Sequence, residues 1–166
     1  TTRTTTTTTR AATAMASDGE DGTVEKKSRI GLCGLAVMGQ NLAMNVAEKG
    51  FDISVYNRSG DKTDVCVERA RKEGFGGKLR GYKEMKEFVE SLEKPRCVII
   101  LVKAGAPVDA TINGLSQFLE PGDCVVDGGN EWYENTERRA AEAAEKGLLY
   151  VGMGVSGGEE GARNGP

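Results

Sequence analysis

The sequence predicts a doubly wound α/β fold built on a parallel sheet. Short apolar runs alternate with one-sided helical stripes five times between Ser28 and Gly152, and a glycine-bearing turn directly follows the first run. The third run, Cys97 to Val102, is apolar on both faces, as a central parallel strand must be. Parallel strands of one sheet are joined by right-handed crossovers, so any ligand is expected at the carboxyl ends of the strands.

Arg29 to Cys33 is the first expected strand. Met38, Leu42 and Val46 then recur at i, i+4 and i+8 beside Ala43 and Ala47, the stripe of an amphipathic helix that Gly50 ends. Phe51 to Tyr56 is the second strand, with Phe51, Ile53 and Val55 on one side. Helical segments over 62–72 and 83–92 come next, separated by the glycine-rich stretch Gly74 to Gly81. Beyond the third strand, Pro107 suits a helix start, and Val108, Ile112, Leu115 and Leu119 form the stripe that Pro121-Gly122 closes. Cys124 to Asp127 is the fourth strand, Asn135 to Lys146 a helix stopped by Gly147, and Leu148 to Gly152 the fifth strand.

A length of 166 residues, with 38% hydrophobic residues and 23 glycines, suits one soluble, loop-punctuated domain. The longest apolar run, Cys97 to Val102, is far too short to span a bilayer, so no membrane partner is expected. A formal net charge of -3 provides no general basic field, which argues against a nucleic-acid partner and requires a local site for any bound anion. Cys33, Cys66, Cys97 and Cys124 show no CxxC spacing and the chain has no histidine, so no metal is expected and the cysteines read as reduced, mostly buried thiols of an intracellular protein.

The first 27 residues form a leader set apart from the domain expected over 28–166. Nine threonines fall within the first thirteen positions, with Arg3 and Arg10 and no acid before Asp18, the composition of an organelle transit peptide or of a disordered low-complexity segment. Met15 offers an alternative start with a short cytosolic leader, which leaves plastid and cytoplasm both open. Beginning at Thr1 and stopping at Gly165-Pro166, the chain reads as a fragment truncated at its C-terminal side.

Gly34, Ala36 and Gly39 form a G-x-A-x-x-G turn between the first strand and first helix, with Leu35, Val37 and Met38 between them. There a helix N-terminus offers backbone N–H groups and partial positive charge to a pyrophosphate; the same spacing also occurs in strand-to-helix turns that bind nothing. At the second-strand tip, about 20 residues on, an NAD-selective site places Asp or Glu. This sequence has Asn57-Arg58-Ser59 instead, an amide, a cation and a hydroxyl with no carboxylate to repel a 2′-phosphate, which favours NADP over NAD. Val102, Lys103, Ala104 and Gly105 follow the third strand and Asp127-Gly128-Gly129-Asn130 the fourth, with small residues where a ligand passes close to backbone. Lys103 reads equally as a ligand contact or a solvated lysine, and Asp127 as a turn cap or a catalytic carboxylate. Ser156, Gly157 and Gly158 open a last loop that is either an anion-receptive nest or a flexible segment.

Together, "GLAVMGQNL", "NRS", "LVKAGAPVD", "DGGNEWYENTERR" and "GVSGGEEGARNGP" closely resemble the Rossmann-type dinucleotide domain of 6-phosphogluconate dehydrogenase, the decarboxylating enzyme of the pentose phosphate pathway. The likeness runs from Ser28 to Pro166 and is most like plant or algal members. It implies oxidation of 6-phospho-D-gluconate with NADP⁺ to a 3-keto acid, loss of CO₂ and tautomerisation to ribulose 5-phosphate, in a homodimer when full length. By resemblance, Gly34 to Gly39 hold the pyrophosphate and Asn57, Arg58 and Ser59 the 2′-phosphate, where Ser59 replaces the family's threonine. Val102, Lys103 and Ala104 line the nicotinamide side, Asn130 meets both cofactor and substrate, and Ser156, Gly157 and Gly158 bind substrate. The family's base lysine, acid glutamate, histidine and asparagine substrate contacts and helical domain belong after Pro166; Lys103, Glu159 and Glu160 do not match the catalytic positions. Two other readings are a β-hydroxyacid dehydrogenase of the 3-hydroxyisobutyrate type and a non-catalytic NADP-sensing module.

Overall fold

The computed structural model describes residues 26–165, so the leader over 1–25, with the Met15 start, and Pro166 lie outside the described residues. Twelve elements alternate: β1 (Ile30–Cys33), α1 (Val37–Glu48), β2 (Ile53–Tyr56), α2 (Gly60–Lys72), β3 (Leu79–Tyr82), α3 (Met85–Glu90), β4 (Cys97–Ile100), α4 (Ala106–Leu115), β5 (Cys124–Asp127), α5 (Tyr133–Glu145), β6 (Leu149–Gly152) and α6 (Gly158–Asn164). The six strands form one sheet in the order β3-β2-β1-β4-β5-β6, and all of its pairings are parallel. Strand order reverses between β1 and β4, which opens the ligand crevice beyond their carboxyl ends.

Helices cover both faces. On one, Ala43, Met44 and Ala47 of α1 and Cys66 and Ala70 of α2 pack on Leu32, Ile53, Val55, Leu79 and Ile99. On the other, Phe88 and Val89 of α3 and Val108, Ile112 and Leu115 of α4 pack on Cys33, Val98, Ile100 and Val125. Burying this apolar surface on both sides is what holds a parallel sheet together.

Four features differ from the sequence reading. The glycine-rich stretch Gly74 to Gly81 is not merely a separator, because its end belongs to β3, whose Leu79 and Gly81 stand in register with Ile53 and Val55. Phe51 precedes β2 and is 59% exposed, while Ser54 is buried among Ile53 and Val55, so this strand is covered on both faces rather than alternating. The buried residues of α1 are Gly39, Asn41, Ala43, Met44 and Ala47, with Met38, Leu42 and Val46 only half-buried. Gly39 lets the start of this helix approach the end of β1 closely. Finally, α4 ends at Leu115, and Phe118 and Leu119 pack on the same core from the turns that follow.

The amino ends of β4 and β5 are tied by a buried ion pair. Asp123 accepts from Arg96 Nη1 at 2.9 Å, from the Arg96 backbone N–H at 2.6 Å and from the Glu120 N–H at 2.9 Å. One carboxylate thus ties the turn around Pro121-Gly122 to this cation, whose buried Nε meets no acceptor among the described residues. All four cysteines are free thiols, with Cys33 and Cys66 buried, and Cys97 and Cys124 half-buried and in register across β4 and β5. No helix among the described residues is long and apolar enough to cross a membrane.

Candidate functional site

Five loops leave the carboxyl ends of β1, β2, β4, β5 and β6, and they and the starts of α1 and α6 carry the expected cofactor and substrate residues. The first is the glycine turn. Gly34 has φ +99°, and a Cβ there would lie 2.3 Å from the Leu101 carbonyl oxygen, so the turn next to β4 accepts no side chain. A Cβ on Gly39 would lie 1.8 Å from the carbonyl oxygen of Gly34, which fixes the close approach of α1 to β1. Between them, Ala36 is exposed with φ -72° and ψ -175°, a conformation open to any L residue.

Ala36 caps α1 without a side-chain acceptor. Among the described residues, the N–H groups of Ala36, Val37, Met38 and Gly39 meet no acceptor, whereas Leu35 N–H donates to Asn57 Oδ1 at 2.9 Å. Several aligned donors with the positive end of a 12-residue helix behind them suit a phosphate group.

Asn57 faces inward. Its Oδ1 holds the glycine turn while its Nδ2 donates to the Ser59 carbonyl at 3.1 Å and to Ser59 Oγ at 2.9 Å, so this side chain braces two loops and its polar atoms are already engaged. Arg58 and Ser59 are exposed, and the Arg58 guanidinium enters no ion pair among the described residues.

On the β4 loop, Val102 and Ala104 are half-buried and Lys103 is exposed. On the β5 loop, Asn130 is exposed. Asp127 is buried: its Oδ1 accepts the Gly129 N–H at 3.0 Å, and its Oδ2 accepts the Tyr150 hydroxyl at 2.8 Å. It therefore caps this turn with both oxygens engaged. Burial, together with that bond, pushes the Tyr150 hydroxyl pKa upward. After β6, Ser156, Gly157 and Gly158 are exposed, with φ +91° and +59° at the two glycines. Helix α6 then lies on α1, where Asn45 Nδ2 donates to the Ala162 carbonyl at 3.2 Å and Asn41 Nδ2 to the Glu159 carbonyl at 3.4 Å. Arg163 continues this latch with hydrogen bonds to Glu48 and to Glu73 at 3.0 Å. The loop bearing Ser156 and the helix behind the glycine turn are thus one packed unit.

Sequence reasoning missed a buried charge cluster behind these loops. Arg139 of α5, with 1% of its side chain exposed, forks onto Asp109 through Nε at 2.8 Å and Nη2 at 3.1 Å. Its Nη1 meets Glu131 Oε2 at 2.6 Å, and its Nη2 donates to the Gly105 carbonyl at 3.1 Å. The hydrogen bond from Arg139 holds the Asp109 carboxyl down at about 2. Glu131 is likewise held at about 2, first by the Gly105 N–H and then by Arg139. The only early sign was that Arg139 and Ala143 share a helix face at i and i+4. Desolvation, by contrast, raises the Cys66 thiol to about 11 and Cys33 further, which makes both poor nucleophiles.

A family model described as the NAD binding domain of 6-phosphogluconate dehydrogenase matches residues 29–166. The chain belongs to the 6-phosphogluconate dehydrogenase family.

Within that family, it is 69% identical over 139 residues to 6-phosphogluconate dehydrogenase, decarboxylating 1 of Spinacia oleracea, a match covering 84% of this chain and 29% of the relative. It is 67% identical over 141 residues to 6-phosphogluconate dehydrogenase, decarboxylating 3, chloroplastic of Arabidopsis thaliana, covering 84% of this chain and 28% of that protein. Among solved structures, it superposes with a TM-score of 0.77 on the Plasmodium falciparum 6-phosphogluconate dehydrogenase, at 51% identity over 81% of this chain and 28% of that one. That enzyme was solved in its apo form, with its cofactor NADP⁺ and with its substrate 6-phosphogluconate. The chain therefore spans less than a third of the length of these relatives.

Proposed function

We propose that residues 28–166 are the NADP⁺-binding domain of a decarboxylating 6-phosphogluconate dehydrogenase, whose helical domain and catalytic lysine and glutamate follow Pro166. The observation that carries this reading is the pairing of a helix start, four of whose N–H groups meet no acceptor among the described residues, with Arg58, which enters no ion pair among them, across the loop that Asn57 braces. That set of donors fits a dinucleotide with a third phosphate, and the family membership supports it.

The reaction proposed for the whole protein converts 6-phospho-D-gluconate and NADP⁺ to D-ribulose 5-phosphate, CO₂ and NADPH. The bound cofactor supplies a hydride acceptor for C3 of the sugar acid. This chain's residues bind and orient. Gly34, Leu35, Ala36, Val37, Met38 and Gly39 seat the pyrophosphate, Arg58 and Ser59 grip the 2′-phosphate, and Asn57 keeps the two seats in register. Val102, Lys103 and Ala104 line the nicotinamide side. Asn130 serves both ligands, with an amide able to donate and accept at once. Ser156, Gly157 and Gly158 hold the carboxylate and hydroxyl end of the substrate.

Two results test this reading. The chain is expected to bind NADP⁺ more tightly than NAD⁺ in calorimetric titration, and Arg58→Ala to narrow that preference by about 10- to 100-fold, the range for a charge-assisted hydrogen bond. Equal affinities in the unmutated chain would remove the 2′-phosphate assignment. The full-length protein is expected to release ¹⁴CO₂ from 1-labelled 6-phosphogluconate with NADP⁺; turnover of 3-hydroxyisobutyrate instead would assign it to a different substrate class. A homodimer, and either a plastid or a cytoplasmic location, complete the proposal; relatives named chloroplastic support the plastid alternative.

A further inference from the structure

Two of the ligand loops are joined by residues that belong to neither proposed binding set. Gly105, next to Ala104, is held at both ends of its backbone: its N–H donates to Glu131 Oε2 at 2.8 Å, and its carbonyl accepts from Arg139 Nη2 at 3.1 Å. Glu131 is next to Asn130. The two bonds, together with the 2.6 Å contact between Glu131 and Arg139, close a ring that fixes how far Ala104 lies from Asn130. Gly105 has φ +90° and ψ -142°, which leaves this peptide where only glycine sits without strain.

We propose that Glu131 and Arg139 are positioning residues that hold the loop after β4 at a set separation from the loop after β5, and so shape the seat of the nicotinamide end of the dinucleotide; this rests on the NADP⁺ reading above. Arg139 acts from behind, since Asp109 fixes its guanidinium against the first turn of α4. Glu131 works because it is acceptor-only. Four donors converge on its two oxygens: the Gly105 N–H and Arg139 Nη1 on Oε2, the Trp132 N–H and Asn135 Nδ2, each at 3.0 Å, on Oε1. A glutamine has one oxygen and one NH₂, so either way round it turns donors toward donors on one side. The cost of two unmet donors falls on the Gly105 peptide or on the start of α5.

Adenosine 2′,5′-bisphosphate separates positioning from folding, because it carries the adenine and 2′-phosphate end without a nicotinamide. In Glu131→Gln, NADP⁺ affinity is expected to fall about tenfold or more, while adenosine 2′,5′-bisphosphate affinity stays within about twofold. Arg139→Lys, which keeps the charge and loses the fork, should show the same split. Amide exchange is expected to quicken at Gly105 in Glu131→Gln and to stay unchanged at Gly34, whose N–H is bonded to the Tyr56 carbonyl at 3.0 Å. Equal weakening of both nucleotides, or no change in either, overturns the positioning role. An unmutated chain that binds neither nucleotide overturns the NADP⁺ reading and the positioning role with it, whereas normal binding of both by the variants overturns the positioning role alone.

Discussion

Gly39→Ala is expected to destabilise the chain by about 3 kcal/mol or more and to abolish nucleotide binding. The sign is informative because helix propensity points the other way: Gly39 lies inside α1, where alanine is favoured over glycine by about 1 kcal/mol. The added carbon would sit 1.8 Å from the carbonyl oxygen of Gly34, a backbone atom already held by the N–H bond of Gly34 to Tyr56. No rotamer relieves that contact, so α1 must lift away from β1 and carry its free N–H groups with it. Ala36→Gly is the matched control. Its backbone is ordinary and its side chain exposed, and stability should change by no more than about 0.5 kcal/mol. Thermal melts of the two variants with a nucleotide titration decide the matter; a Gly39→Ala protein as stable as the unmutated one would show that the helix can shift freely, and would remove the argument that this glycine sets the pyrophosphate seat.

This pair also shows what the sequence could and could not reveal. The turn from β1 into α1 was legible because its constraint is local: a short apolar run, a positive-φ glycine and a helix start lie within ten residues. The alanine at the middle position is accommodated because its dihedrals are ordinary and its side chain is exposed. By contrast, β3 was lost in the glycine-rich stretch because Leu79-Arg80-Gly81-Tyr82 has little strand character of its own; it is an edge strand, made by pairing with β2 and by α2 lying so close that a Cβ on Gly81 would meet Val67 Cγ2 at 2.5 Å. Phe51 misled for a related reason. Alternation implies one wet face, but β2 has helices on both sides and takes Ser54 into its interior. Least legible was the cluster around Arg139, since its partners lie 8, 12, 30 and 34 residues away in sequence and an arginine in "TERRAA" resembles any solvated helix residue. Charge pairing across a fold leaves no periodic trace.

That cluster carries the second large effect. Arg139→Met, which keeps the length of the side chain and removes its cation, is expected to cost about 3 to 5 kcal/mol near neutral pH, the range for deleting one partner of a buried ion pair. The cost comes less from lost attraction than from what remains: Glu131, 7% exposed, and Asp127, 2% exposed, are left without their shared cation, and Asp109 loses its fork. The pH dependence separates this account from a simple packing defect. In the unmutated protein the carboxyls of Asp109 and Glu131 titrate at about 2, below their unfolded values of about 3.9 and 4.3. Groups with depressed folded pKa values stabilise the fold above their unfolded values, and that contribution disappears as pH falls from about 4 toward 2. Without Arg139 both carboxyls rise, take up protons earlier and become less costly to bury. The gap in stability between Arg139→Met and the unmutated chain should therefore be widest at pH 7 and narrow steadily as pH is lowered through 4. Urea unfolding at a series of pH values measures it directly. A gap that stays constant from pH 7 to 4 would mean that the methionine merely packs badly, and that Asp109 and Glu131 owe their ionisation to their backbone and remaining side-chain donors and not to the buried arginine.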